Sequence, residues 1–238
     1  MKSKIILLTF FAFTALSLTY KTQDDCKTYF PIQEGMEWTY NEYNKKDKLT
    51  GTNTVSVENV APGKDGLIEY QMKGVIDGPK GKEKNHHEQS FKYICDDGKL
   101  KMSMETMIPK EQMEAMQDME LQIDQKEIMI PKNLKAGDQL EDASINMKVS
   151  ASGIQVMNMT VYITNRKVEK FETITTEAGS FDCAVISYDS EFKMGFMDRK
   201  SSGKDWFSPE AGNVRSEFYD KDGILESYRV LTAYSNGK

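Results

Sequence analysis

Ile145-Asn146-Met147-Lys148-Val149-Ser150-Ala151-Ser152-Gly153-Ile154-Gln155-Val156-Met157-Asn158-Met159-Thr160-Val161-Tyr162-Ile163 is the stretch on which the fold class turns. Ile145, Met147, Val149 and Ala151 alternate with Asn146, Lys148 and Ser150. Met157, Met159, Val161 and Ile163 alternate in the same way with Asn158, Thr160 and Tyr162. Successive side chains of a strand point to opposite faces, so a period of two marks a strand with one dry and one wet face. Ser152-Gly153 between the two runs suits a tight turn, which makes the pair a hairpin. Ile154 and Val156 are out of phase with Met157 and Met159, which requires either a bulge or cover on both faces.

The same rhythm extends in both directions. Lys45-Lys46-Asp47-Lys48, Ala61-Pro62-Gly63-Lys64-Asp65-Gly66, Asp77-Gly78-Pro79-Lys80-Gly81, Asp96-Asp97-Gly98-Lys99 and Lys221-Asp222-Gly223 all fall between strand-like runs. Asp-Gly supplies the positive φ that tight hairpin turns need. The strands so bounded are predicted at 36–44, 48–60, 67–76, 88–95, 99–104, 142–151, 154–166, 168–176, 181–191, 194–201, 213–220 and 224–233. Residues 109–119 break the pattern with strong helix formers and no β-branched side chain. Pro109 suits a helix start, and Met113, Met116 and Met119 give a partly apolar face, so a short helix is predicted there. The expected fold is mainly β, a strongly curved antiparallel sheet around a short helical plug. A closed barrel or a sandwich would share most of these signals.

The N-terminus has a different character. Met1-Lys2-Ser3-Lys4 precedes an apolar run from Ile5 to about Leu18, the pattern of a secretory signal peptide. Thr9, Thr14 and Ser17 interrupt it, and it is short for a bilayer-spanning helix. Ala15-Leu16-Ser17 offers a small-x-small cleavage site, with Thr19 as an alternative, so residues 1–19 are assigned to a leader and 20–238 to one antiparallel β domain. Gln23-Asp24-Asp25 before Cys26 does not fit a lipoprotein acceptor site, so the mature protein is expected to be soluble, periplasmic or secreted, and not membrane-spanning. The leader carries Lys2 and Lys4 and no acid, so its loss moves the net charge from −6 to −8. An acidic chain with scattered lysines lacks the concentrated basic face that nucleic acid requires.

Three cysteines follow the leader. Cys26 and Cys95 sit among aspartates, as expected of a surface staple, whereas Cys183 lies between Phe181 and Val185 in a core-like strand. In an oxidising compartment the expected pairing is Cys26–Cys95, with Cys183 reduced.

Several blocks together resemble a secreted domain family of unknown function in Gram-negative bacteria. They are Tyr29-Phe30-Pro31 with Glu34-Gly35-Met36-Glu37-Trp38; Asn165-Arg166-Lys167-Val168; Thr175-Thr176-Glu177-Ala178-Gly179-Ser180-Phe181-Asp182-Cys183; Trp206-Phe207 with Gly212-Asn213-Val214-Arg215-Ser216-Glu217; and Lys221-Asp222-Gly223-Ile224-Leu225-Glu226-Ser227-Tyr228. Such proteins look like the lipoprotein-carrier-like half-barrel class, a β-clam in which a curved sheet wraps a hydrophobic cavity. The resemblance implies that fold and no reaction. The blocks also have a plain structural account as strands, turns and core anchors such as Trp38 and Trp206.

Methionine is the compositional oddity. Met102, Met104, Met107, Met113, Met116, Met119 and Met129 crowd one segment. Thioethers can hold Cu(I), can adapt to varied apolar ligands, or can simply fill gaps in a core. No His or Cys lies within the Met-rich segment to strengthen a copper site. His86 and His87, the only histidines, are adjacent and would point to opposite faces of a strand, so neither a shared metal nor a catalytic triad is expected of them. No Gly-x-Ser-x-Gly, phosphate loop or dinucleotide fingerprint occurs. No catalytic residue, metal or cofactor is assigned.

The leading functional expectation is an exported, non-enzymatic protein that holds a lipid, acyl chain or other apolar ligand on the concave face of a half-barrel. The contacts expected are Met104, Met107, Met113, Met116, Met147 and Met159. The alternative is an envelope structural or protein-interaction module without a small ligand. An enzyme of unknown type would need a deep pocket of converging titratable groups, which sequence does not display.

Overall fold

The computed structural model describes residues 29, 31–63, 67–79, 86–96, 98–103, 114 and 116–235. Thirteen strands among them form a single antiparallel sheet. They are β1 (Glu37–Asn44), β2 (Leu49–Pro62), β3 (Ile68–Asp77), β4 (His87–Asp96), β5 (Lys99–Met102), β6 (Glu120–Lys126), β7 (Ile128–Pro131), β8 (Ala143–Ala151), β9 (Ile154–Thr176), β10 (Gly179–Met194), β11 (Met197–Ser208), β12 (Gly212–Asp220) and β13 (Leu225–Ser235). The order across the sheet is β6-β8-β9-β10-β11-β12-β13-β1-β2-β3-β4-β5-β7. Its two edge strands, β6 and β7, are consecutive in sequence and separated only by Glu127. The sheet therefore curls until its edges meet, and is nearly closed into a barrel. That is more closed than the half-barrel expected, because the resemblance specified curvature but not how far it runs.

The β8–β9 hairpin forms as its alternation predicts. Ser152 and Gly153 both take positive φ, 51° and 76°, as a two-residue turn between right-twisted strands demands. The phase break beyond it is a bulge. The register shifts between Val149 and Ser150, which aligns Met157 with Val149 and Met159 with Met147, and leaves Ile154 and Val156 exposed.

Two expected strands, 154–166 and 168–176, are one 23-residue strand, β9. The irregularity that divides them in sequence is a bulge centred on Asn165, whose φ is +53° and whose amide Nδ2 donates to Asp189 at 2.7 Å. The extra residue lets Ile163, Arg166 and Val168 all be buried, although 163 and 166 are out of phase for a regular strand.

The expected strand at 194–201 runs instead from Met197 to Ser208, because the turn lies at Gly195-Phe196. β6 and β7 were not foreseen. The predicted helix at 109–119 falls largely outside the described residues. Of it, residues 116–119 form a turn in which the Gln117 and Met119 amides donate to the Glu114 and Met116 carbonyls, and no helical element stands among the described residues. The leader, residues 1–19, also lies outside them. No described helix is long and apolar enough to cross a membrane.

The interior holds two separate apolar clusters. The larger gathers Trp38, Tyr40, Val57, Tyr70, Met72, Cys95, Leu100, Val168, Ile186 and Leu231, with Trp206 and Phe207. The smaller gathers Ala143, Ile145, Met147, Val149 and Ile163.

Candidate functional site

The smaller cluster is where the sequence-predicted methionines can be placed. Met147 on β8 is fully buried within it, and Met116 and Met159 pack against it partly buried, beside Met157, Ile123, Ile128 and Val161. Met147 and Met159 are direct cross-strand partners. The β8–β9 hairpin and the turn at 116–119 thus bring three of the expected methionines to one apolar cluster. Met104, Met107 and Met113 lie outside the described residues.

Between the two clusters runs a belt of polar side chains that sequence reading missed. β9 shows the layering most directly: Ile163 belongs to the smaller cluster, Val168 to the larger, and buried Arg166 sits between them. Its Nη1 donates to the Glu141 carbonyl at 2.7 Å and its Nη2 to the Met129 carbonyl at 3.0 Å. Burial disfavours its charge and lowers its pKa, while Asp205 and Asp142 favour the charge.

The belt continues through Tyr188 on β10, Asp205 on β11, Ser216 on β12 and Arg229 on β13. Asp205 and Ser216 are cross-strand partners, as are Ser216 and Arg229, so the three share one face. Arg229 Nε donates to Ser216 Oγ at 3.1 Å, and Ser216 Oγ donates to Asp205 Oδ1 at 2.6 Å. Asn213 Nδ2 also approaches Asp205 Oδ1, at 3.3 Å. The Arg229 guanidinium lies 5.1 Å from the centre of the Tyr40 ring, and the Tyr40 hydroxyl donates to the Asn213 carbonyl at 2.9 Å.

Burial raises the Asp205 carboxyl above its ordinary value, against the pull of the Ser216 and Asn213 hydrogen bonds and the Arg229 charge. Desolvation likewise raises the phenols of Tyr40 and Tyr188, and that of Tyr93 to about 12. Asp205, Tyr188, Tyr93 and Arg229 are nevertheless only half-buried. Tyr188 joins the two environments, since it packs against the methionine cluster while feeling the charges of Asp205, Arg229 and Arg166.

A surface cleft of about 450 Å³ is lined by Thr164, Asp189, Glu191, Lys200, Asp220 and Lys221, among others, with no hydrophobic residue in its lining. His86 is exposed and shares a 2.7 Å hydrogen bond with Asp77, which raises its pKa. Among the described residues no group of three or more His, Cys, Asp or Glu side chains could hold a metal. Cys183 is a free, buried thiol. Cys95 is buried in the larger cluster and is not a free thiol; Cys26 lies outside the described residues.

A family model described as DUF3108-like matches residues 33–231, from just before β1 to well into β13. The chain belongs to the DUF3108-like family. Two solved structures share the fold of this DUF3108-like protein. A presumed exported protein with a YmcC-like fold from Bacteroides fragilis superposes with a TM-score of 0.67 at 24% identity, covering 89% of this chain and 100% of that one. A presumed lipoprotein from Parabacteroides distasonis superposes with a TM-score of 0.66 at 27% identity, covering 88% and 99%. No curated protein matches the sequence.

The resemblance blocks contain Arg166, Asn213 and Ser216 but not Tyr188, Asp205 or Arg229. A charged residue in an alternating strand reads as solvent-facing unless the register is known, and only the register turns Asp205 and Arg229 inward.

Proposed function

We propose that this DUF3108-like protein is an exported, non-enzymatic binding protein, periplasmic or secreted, that holds a lipid or other apolar ligand on the concave face of its sheet. The supporting observation is the convergence of Met116, Met147 and Met159 on an apolar cluster set apart from the main core. Unbranched, polarizable thioethers suit a wall that must adapt to flexible chains. A cluster needed only for stability would gain more by merging with the larger one than by standing across a polar belt from it. The names of the two structural neighbours, an exported protein and a lipoprotein, agree with export.

Native mass spectrometry of protein taken from its own host tests the reading. Co-purified lipid is expected, as is uptake of a fluorescent fatty acid that Met147→Lys abolishes. A clean apo mass with no uptake would overturn it.

A second reading, an envelope interaction module, draws on a different surface. The β10–β11 hairpin turns alongside β9, where Met159 pairs with Met194, and the β8–β9 hairpin runs on past it to its own turn at Ser152-Gly153. Their tips expose Ile154, Val156, Phe196 and Met197. Exposed apolar side chains in one region mark contact surfaces. A photo-crosslinker at Phe196 that traps one envelope protein in intact cells, together with an apo mass, would favour this reading over the first.

A further inference from the structure

We infer that the polar belt is a head-group site, so that the bound molecule is a single-chain amphiphile whose anionic head is gripped by Arg229 while its chain lies against the methionine cluster. This deepens the ligand-binding reading above and rests on it for the chain, though not for the head.

The geometry supplies the donors. Arg229 spends Nε on Ser216 and stacks on Tyr40, and no ion pair among the described residues occupies its terminal nitrogens. Its cross-strand partner on β1, Glu42, makes no ion pair with it. Asp205, the nearest inward carboxylate on β11, is already engaged by Ser216 and Asn213. Arg166 adds a guanidinium that is itself buried and whose two bonds go to neutral carbonyls. Arg229 and Arg166 share this level of the sheet with Asp205 and, on β1, Glu42. A guanidinium with its fork free matches carboxylate or phosphate oxygens in a bidentate manner.

Tyr188 sets the direction of the ligand, with its ring toward the methionines and its charged neighbours in the belt.

The test compares heads on one chain. Oleate, oleyl phosphate and oleyl alcohol are titrated into the delipidated mature protein and into Arg229→Gln, with butyrate as a chainless acid. The side-chain Nε–Hε resonances of Arg229 and Arg166 are followed by NMR. An anionic head should bind about tenfold or more tightly than the alcohol, the scale of one charge-assisted hydrogen bond. R229Q should erase that preference and leave the alcohol's affinity unchanged. The tighter of oleate and oleyl phosphate identifies the head as carboxylate or phosphate.

Equal affinity for anion and alcohol in the unaltered protein would overturn the head-group site while leaving the apolar reading intact. A preference that survives in R229Q would overturn it as well. If no long chain binds but butyrate shifts the Arg229 resonance, the anion site stands and the apolar reading falls. If butyrate also leaves that resonance unmoved, both fall. Should R229Q not fold, the Arg229 resonance of the unaltered protein on adding oleate decides: a shift supports the grip, and no shift refutes it.

Discussion

Arg166 on β9 donates to the backbone carbonyl of Met129 on β7 at 3.0 Å, and so reaches across the seam where the two edges of the sheet approach each other. The same guanidinium holds the Glu141 carbonyl at 2.7 Å, in the stretch that leads into β8. Barrel closure here depends on one side chain as well as on strand pairing. The bulge at Asn165 is what turns that side chain inward.

Replacing Arg166 should therefore loosen the seam. Arg166→Met removes a buried charge but leaves two carbonyls without donors. The expected cost is on the order of 2–4 kcal/mol, since each unsatisfied buried acceptor costs about 1–3 kcal/mol. Arg166→Lys should recover less than half, because a single ammonium lacks the planar fork that serves two acceptors at once. Urea denaturation gives the numbers. Losses below about 0.5 kcal/mol for both variants, a typical surface effect, would remove the seam role.

Much of the sheet was legible because its turns and alternation agree. The Ser152-Gly153 hairpin, the inward set Ile145, Met147, Val149, Met157 and Met159, and the turns at Asp47, Gly98 and Gly223 all stand where the sequence puts them. Three features were hidden for physical reasons. β6 contains Glu, Gln, Asp and Lys around only Leu121 and Ile123, too few apolar positions to outvote a helical reading of the neighbouring segment. Ser201-Ser202-Gly203-Lys204 resembles a turn, yet Gly203 is glycine because a ring lies over it, so β11 runs straight through. Asp205 and Arg229 look like solvent-face charges until cross-strand register assigns them to the interior. The belt is a product of register, which local sequence does not encode.

Asp205 gives a pH signature. Its native carboxyl titrates above 3.8, chiefly because it is buried. In the window just above 3.8 the folded protein holds a proton that the unfolded chain has released. Stability from this group therefore falls as pH rises through the native pKa. Asp205→Asn cannot ionise, and its Oδ1 can still accept from Ser216. The stability of D205N relative to the unaltered protein should improve between about pH 4 and about pH 7, read from urea midpoints across that range. A difference that stays constant, or moves in the opposite sense, would show that Asp205 is not held proton-rich in the fold.

The cysteines should separate by reactivity. Burial pushes the Cys183 thiol up to about 12, and its Sγ points to the Phe181 carbonyl at 3.5 Å. Thiolate is the reactive form, so native Cys183 should resist iodoacetamide for hours and be alkylated at once in denaturant. Non-reducing peptide mapping should recover Cys26 joined to Cys95. Rapid native alkylation of Cys183, or a Cys183-containing disulfide, would contradict this arrangement.

Gly203 and Tyr188 are cross-strand partners, and a Cβ built at Gly203 would coincide with the phenol end of the Tyr188 ring. The missing side chain is thus what lets Tyr188 lie across β11 and occupy the position between the belt and the methionine cluster. Gly203→Ala should cost about 1–3 kcal/mol, as overpacking typically does, by driving the ring off its seat. In a Tyr188→Ala background the same substitution should cost nothing or stabilise slightly, because alanine loses less backbone entropy than glycine in a strand. The two changes should therefore couple by about 1 kcal/mol or more in a double-mutant cycle, the mark of residues in direct contact. Additive effects would mean that glycine is required at 203 for its backbone, and that Tyr188 is held between the two environments by something other than this contact.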